Sequence, residues 1–288
     1  ESIILFHDLG SKETTVEALP QIIEYIQSLD LKLLKKEIDA NPGCIYRILC
    51  CNHFTRDGLN YESHERIGRI FHKKLYHYQG SVHEQLVPID SEKAKFYNCC
   101  VSIDHTGYDL DEISKKRKAD RNIALLKNEY DQLLSKDPQS NECCYVLYQL
   151  GKSYYTINDY TDAIFYFEKA LLYDVNPEIE YISDLIETYG YALLNDGQVE
   201  KAYGLSEPEI YKAFSHSSDY LFLIGLIYMK NAMFNEAIRE FQNATKKTDA
   251  KCVGVNSFLA YHNIAVIYEC LGDKSKAEEY YRLSEQSH

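Results

Sequence analysis

The 288-residue chain has no tryptophan, only six prolines, and no C-x-x-C pair among its nine cysteines. It also has no apolar run near the ~18–20 residues that span a bilayer, so no membrane span is read in it. Positive charge is in deficit. Lys and Arg number 31 against 44 Asp and Glu, a net charge of −13. That balance excludes a general nucleic-acid surface, though not a local basic patch. The start, Glu1 to Asp8, lacks the basic region and small-residue cleavage site of a signal peptide. No Met opens it, so it reads as a processed, cut or engineered end. Without C-x-x-C a zinc site lacks its usual spacing. The adjacent pairs Cys50-Cys51, Cys99-Cys100 and Cys143-Cys144 rarely bond internally, and the odd total leaves at least one thiol free. The cysteines therefore read as reduced, packed as small hydrophobes in a cytoplasmic protein. What is present is a 45% hydrophobic content, enough for a core, and 26 tyrosines.

The clearest pattern is internal repetition in the second half. Gly151 is followed by Tyr154, Ala163, Phe167 and Ala170, at offsets of 3, 12, 16 and 19. Gly225 is followed at the same offsets by Tyr228, Ala237, Phe241 and Ala244. Ala265 is followed by Tyr268, Ala277 and Tyr281, with Ser284 at the last small position. A weaker copy starts at Gly190, with Leu193 and Ala202, and decays at Ser206. Successive anchors are 39, 35 and 40 residues apart, so each unit reads as two helices and a variable connection. The small residue lets the first helix approach the second, the ring fills the space beside it, and the later Ala faces back. One hairpin cannot bury its own apolar face, so hairpins must stack. Segment 206–216 departs from the pattern and reads as an extra turn or an irregular second helix. No polar capping helix is evident at Ser287-His288, which implies further protein or a last helix packed elsewhere.

This spacing resembles the tetratricopeptide repeat family over residues 141–288, with longer connections than that family's usual period. The resemblance implies a concave groove that takes a protein or peptide partner.

Upstream, residues 112–135 read as one long helix with Ile123, Leu126, Tyr130, Leu133 and Leu134 as its apolar stripe. The basic run 115–121 reads as a solvated face or a clamp for an anionic group, too short for nucleic acid. LKLLKKEI reads as a helix to about Ala40, broken by Asn41-Pro42-Gly43; CIYRILCC then reads as a strand or short helix. Residues 95–108 alternate into a strand closed by a turn at Gly107. His53, His64, His72, His77, His83 and His105 make this half His-rich. No H-x-x-x-H pair with a partnering Glu lies on a clear helix, so no dedicated metal site is read.

An ordered set follows: Arg66, Arg69-Ile70-Phe71, then Gly80-Ser81-Val82-His83-Glu84, then His105-Thr106-Gly107-Tyr108, then Lys118, Arg121-Asn122. It resembles the end of the catalytic domain of family-2, GT-A type glycosyltransferases, in the subgroup that carries tetratricopeptide repeats. The resemblance implies sugar transfer from a nucleotide sugar to a protein, lipid or glycan acceptor, with Mg2+ or Mn2+ bridging the diphosphate. It implies His83 and Glu84 as catalytic residues of the cleft, Arg66, Arg69 and Tyr108 as substrate-binding, and His105 near the metal. Such enzymes also need a nucleotide-binding half and a D-x-D motif upstream. Only about 60 residues precede the match, and Asp109-Leu110-Asp111 follows His105-Thr106-Gly107-Tyr108 instead of preceding the cleft segment, with Asp111-Glu112 reading as the start of the next helix. The chain is thus expected to lack the donor-binding half: an incomplete enzyme, a divergent one or a fragment. Residues 1–30, a short strand ending at His7-Asp8 and then a helix from Thr14 or Thr15, resemble the end of NodB-type polysaccharide deacetylases. His7 would there be a general acid, with its metal-binding partners absent.

The expected fold is an α+β N-terminal region followed by an all-α, tetratricopeptide-like helical solenoid. The expected segments are 1–59, 60–140 and 141–288. The expected function is a glycosyltransferase-derived protein whose repeats recruit the acceptor. The alternative is a non-catalytic interaction module.

Overall fold

A computed structural model describes residues 3–4, 31–56, 59–79, 82, 85–90, 93–105, 112–174 and 176–287. The chain forms two compact units, Glu1–Asp111 and Glu112–His288. The first is a small α/β unit and the second is all-helical, as the sequence indicates. The division differs from the expected boundaries. A boundary at 59/60 would cut one hairpin, because β2 (Ile45–Arg56) pairs with β3 (Leu59–Phe71) along its length. The helix that was to close the middle segment packs with the repeats instead.

In the first unit, α1 spans Leu31–Ala40 and stops at Asn41-Pro42-Gly43, as expected. The CIYRILCC run is strand, not helix. Its alternation places Tyr46, Ile48 and Cys50 on one buried face of β2. Against that face α1 sets Leu34 and Ile38, together with Ile70, Cys99 and Val101. The Tyr46 hydroxyl donates to the carbonyls of Ile38 (3.1 Å) and Asn41 (2.6 Å), fastening the helix end to the sheet. On the other face Ile45, Phe71 and Tyr76 form a second cluster with Tyr78 and Leu86 of a hairpin, β4 (Tyr76–Gln79) and β5 (Gln85–Pro88). The final strand, β6 (Phe96–His105), runs parallel to β2, and β1 (Ile3–Ile4) pairs antiparallel with β3. The sheet order is β1-β3-β2-β6. Beyond Ile4, the expected deacetylase-like segment, with His7, lies outside the described residues.

The second unit opens with α2 (Glu112–Lys136), the long helix read in the sequence. Ile123 and Leu126 are buried, but Leu134, expected in the stripe, is exposed. In the basic run Lys116, Arg117 and Arg121 are exposed while Ala119 is buried, which is a solvated face. Four hairpins follow: α3 (Asn141–Thr156) with α4 (Tyr160–Ala170), and α5 (Glu180–Asn195) with α6 (Val199–Tyr203) and α7 (Pro208–Phe214); then α8 (Ser218–Lys230) with α9 (Phe234–Ala244), and α10 (Phe258–Cys270) with α11 (Lys274–Gln286). The irregular segment 206–216 is a broken second helix, with a 3-10 turn at Gly204–Ser206 before α7.

The repeat code has a direct packing meaning. A Cβ on Gly151 would lie 2.5 Å from the ring of Phe167, and one on Gly225 2.6 Å from that of Phe241. Ala163, Phe167, Ala170, Ala237, Phe241, Ala244 and Ala265 are fully buried; Tyr154 and Ala277 are nearly so. Tyr228, Tyr268 and Tyr281 are half-buried. In the weak copy Gly190 is met by Leu223 and Leu205, so two leucines stand where the ring is missing at Ser206. The turn between paired helices needs a positive φ seven residues after each anchor. Asn158 (60°), Gly197 (77°), Ala232 (57°) and Gly272 (78°) occupy it. Asn and Gly tolerate that region; Ala does not.

Candidate interaction face of the repeats

The first helices of successive hairpins lie side by side, α3 against α5 and α5 against α8. On α3, residues three and four apart share a face, which puts Tyr145, Tyr148, Gln149 and Lys152 in one stripe. Tyr181 of α5 meets this stripe, with ring centroids 5.1 Å from Tyr145 and 5.4 Å from Tyr148. Tyr145 and Tyr181 are half-buried and Tyr148 is buried. The Gln149 amide donates to the Tyr145 hydroxyl (2.9 Å), while its Oε1 is buried with no hydrogen-bond partner among the described residues.

Beside the tyrosines runs a charged network. The Tyr148 hydroxyl donates to Asp184 Oδ2 (2.5 Å), and Lys152 Nζ lies 3.0 Å from the same oxygen. Lys251 Nζ reaches Glu187 Oε2 at 3.4 Å and Asp184 Oδ1 at 4.0 Å. Ser183 and Ser217 both donate to Glu187 Oε1, at 3.1 and 3.0 Å. Lys251 belongs to the connection between α9 and α10. That connection is held over the first helices because Asp219 of α8 accepts the backbone N–H of Lys251 and of Cys252, each at 2.9 Å.

Burial raises both carboxyl pKa values, and the cations decide the outcome. At Asp184, Lys152, Lys251 and the Tyr148 hydroxyl outweigh burial and hold the group down to about 2. At Glu187 burial wins over Lys251, with Asp219 and Asp184 adding to the upward shift. Burial would lower Lys251, but Glu187, Asp184 and Asp219 push it up, so it stays charged. Burial also raises Tyr148, which keeps its hydroxyl a donor. None of these network residues was singled out in the sequence. Lys251 is 64 residues from Glu187, and the only sequence signal was the excess length of the connection.

Most of the residues expected to form a sugar-transfer cleft lie outside the described residues. His83, Glu84 and Tyr108 lie outside the described residues. His105 ends β6 opposite Asn52, and its side chain is likewise outside them. Arg66 and Arg69 sit on β3. Arg66 donates to the Cys99 carbonyl (3.0 Å) and Arg69 to that of Gly68 (3.3 Å). Arg69 is the extra residue where the β2–β3 register shifts. Among the described residues no helix is long and apolar enough to cross a membrane.

Two stretches match tetratricopeptide repeat models, residues 144–176 and 259–286. They cover the first and last hairpins read from the spacing. Solved structures similar to the chain include MamA, 20% identical over 62% of this chain and 95% of that one, TM-score 0.48. MamA from Desulfovibrio magneticus RS-1 is 18% identical over 57% and 94%, TM-score 0.41. YrrB, described as a TPR protein with an unusual peptide-binding site, is 21% identical over 62% and 87%, TM-score 0.47. No curated protein is significantly similar to the chain.

Proposed function

We propose that the repeats form a protein-interaction module that holds an extended, lysine- or arginine-bearing peptide on the first-helix face. The observation that carries this reading is Lys251 itself. A lysine on a loop already occupies the Asp184–Glu187 pair, with its backbone held by Asp219. A partner segment presents the same chemistry to the groups that remain accessible: a cation for Asp184, and apolar side chains for the half-buried Tyr145 and Tyr181. Tyrosines suit this role because they offer large contact area at low entropy cost, with a polar tip.

The test is fluorescence anisotropy of the full chain with two peptide libraries of equal length, one lysine-containing and one glutamate-containing. Lysine peptides are expected to bind and glutamate peptides to fail. Tyr181→Ala is expected to weaken binding about tenfold, the ~1.4 kcal/mol of one good aromatic contact. Equal binding of both libraries, or none, defeats the reading.

The second reading is a glycosyltransferase-derived chain whose repeats recruit the acceptor. What favours it is order. The strand with Arg66 and Phe71, the β4–β5 hairpin and the strand ending at His105 share one unit, then α2 and the repeats follow. In that reading Mg2+ or Mn2+ accompanies a nucleotide sugar. Calorimetry with uridine and guanosine diphosphate sugars plus either metal tests it, and absence of heat counts against it.

A further inference from the structure

The first unit carries a second cluster of chemically useful side chains, on the open end of the sheet face opposite α1. Strand pairing assembles it. Cys51 of β2 is directly opposite His64 of β3, and His53 opposite Glu62; on the other side Cys51 is level with Asp104 of β6. Side chains alternate along a strand, so residues 51 and 53, 62 and 64, and 104 share one face. The atoms meet accordingly. Glu62 Oε1 is 2.6 Å from His64 Nε2, and the Cys51 sulfur, a Glu62 oxygen and a His64 nitrogen all lie within 4.8 Å of one another. His53 stands between two carboxylates, 4.0 Å from Glu62 and 3.6 Å from Asp104.

We propose that Cys51, Glu62 and His64 bind one divalent transition-metal ion of the zinc class, with solvent in the fourth position. The donor set selects the ion. A thiolate and an imidazole suit zinc and its neighbours, whereas Mg2+ and Ca2+ take oxygen donors. The site is thus different in kind from the Mg2+ or Mn2+ of a sugar-transfer cleft. The geometry is within reach. Bonds of about 2.0–2.3 Å set tetrahedral donors roughly 3.3–3.6 Å apart, so small side-chain rotations close the triangle. The His64–Glu62 hydrogen bond is what these donors make without the ion, and a metal replaces its proton. All three residues are half-buried, which shields the ion yet leaves an entry path. His53 stands as an outer partner beside Glu62, with Asp104 on its far side.

The experiment uses the full chain, reduced and metal-stripped, titrated with Co2+ and then Zn2+. One equivalent of Co2+ is expected to give a thiolate-to-cobalt charge-transfer band, which Zn2+ abolishes by displacement. Cys51→Ser is expected to remove the band. Glu62→Gln, a half-exposed change that leaves the strand pairing intact, is expected to weaken affinity at least tenfold, as is His64→Ala. Cys270→Ser, at an exposed thiol of α10, is expected to change nothing. A missing band in the wild type overturns the proposal. So does a band that survives Cys51→Ser, or an affinity that neither Glu62→Gln nor His64→Ala alters.

Discussion

Gly151 lies so close beneath the ring of Phe167 that a single added methyl would sit 2.5 Å from it. That approach brings α3 and α4 into contact, and Gly225 repeats it under Phe241. Gly151→Ala is therefore expected to destabilise the repeats by about 1–3 kcal/mol, the usual range for overpacking. Gly204→Ala is the control, since nothing lies within 4 Å of its would-be Cβ. Urea unfolding of the full chain, followed by the helical circular dichroism signal, separates the two. Equal midpoints would remove the close-approach argument.

Phe167→Ala has the opposite geometry, a cavity where the ring is wholly buried. It is expected to cost about 3–5 kcal/mol. Leu205→Ala, at the substitute for the missing ring, is expected to cost about 2–5 kcal/mol. A Leu205 value near zero in the same urea assay would mean that Leu205 does not serve as that ring's replacement.

Ala232 holds a left-handed conformation where its counterparts are Gly, Gly and Asn. Ala232→Gly relieves a strain of about 1–2 kcal/mol and loses part of that to backbone entropy. The expected net is a stabilisation of about 0.5–1 kcal/mol, read as a higher urea midpoint at unchanged slope.

The Asp184 network sets a pH dependence. The folded pKa of Asp184 is about 2, below its ordinary 3.8, so the unfolded chain binds the extra proton between those values. Stability from this group is then complete above pH ~4 and is lost as pH falls towards 2. Glu187 acts in the opposite sense. Its folded pKa is raised, so protonation on acidification relieves a buried charge. Asp184→Asn is expected to flatten the acid limb of the midpoint-versus-pH curve, and Glu187→Gln to leave that limb in place. Lys251→Met is expected to cost about 1–3 kcal/mol at pH 7 by leaving Glu187 without its cation.

The Tyr46 hydroxyl fastens α1 to the sheet through two carbonyls. Tyr46→Phe keeps the ring and removes both bonds. It is expected to cost about 1–2 kcal/mol and to speed hydrogen exchange in residues 31–40 ahead of the rest of the first unit.

The helical half was legible because its information is local. A small residue, a ring sixteen positions on and flanking alanines lie within one hairpin. Buried Ala163, Phe167 and Ala170 are the same residues that carried the spacing. Legibility failed at Ser206, because Gly190 is met instead by Leu223 of the next hairpin and by Leu205 on a broken helix. It failed for Leu134, which is exposed, because periodicity shows which way a residue points, not whether another element covers it.

The sequence by itself determined the paired helices, the break at Asn41-Pro42-Gly43 and the long helix at 112, all effects of short-range sterics and spacing. Only the tertiary structure decided what meets across distance. Strand register put His64 opposite Cys51, and an ordered loop put Lys251 on Asp184 and Glu187. Neither follows from periodicity. Register depends on which strands pair, and a loop's resting place on what its backbone can hydrogen-bond.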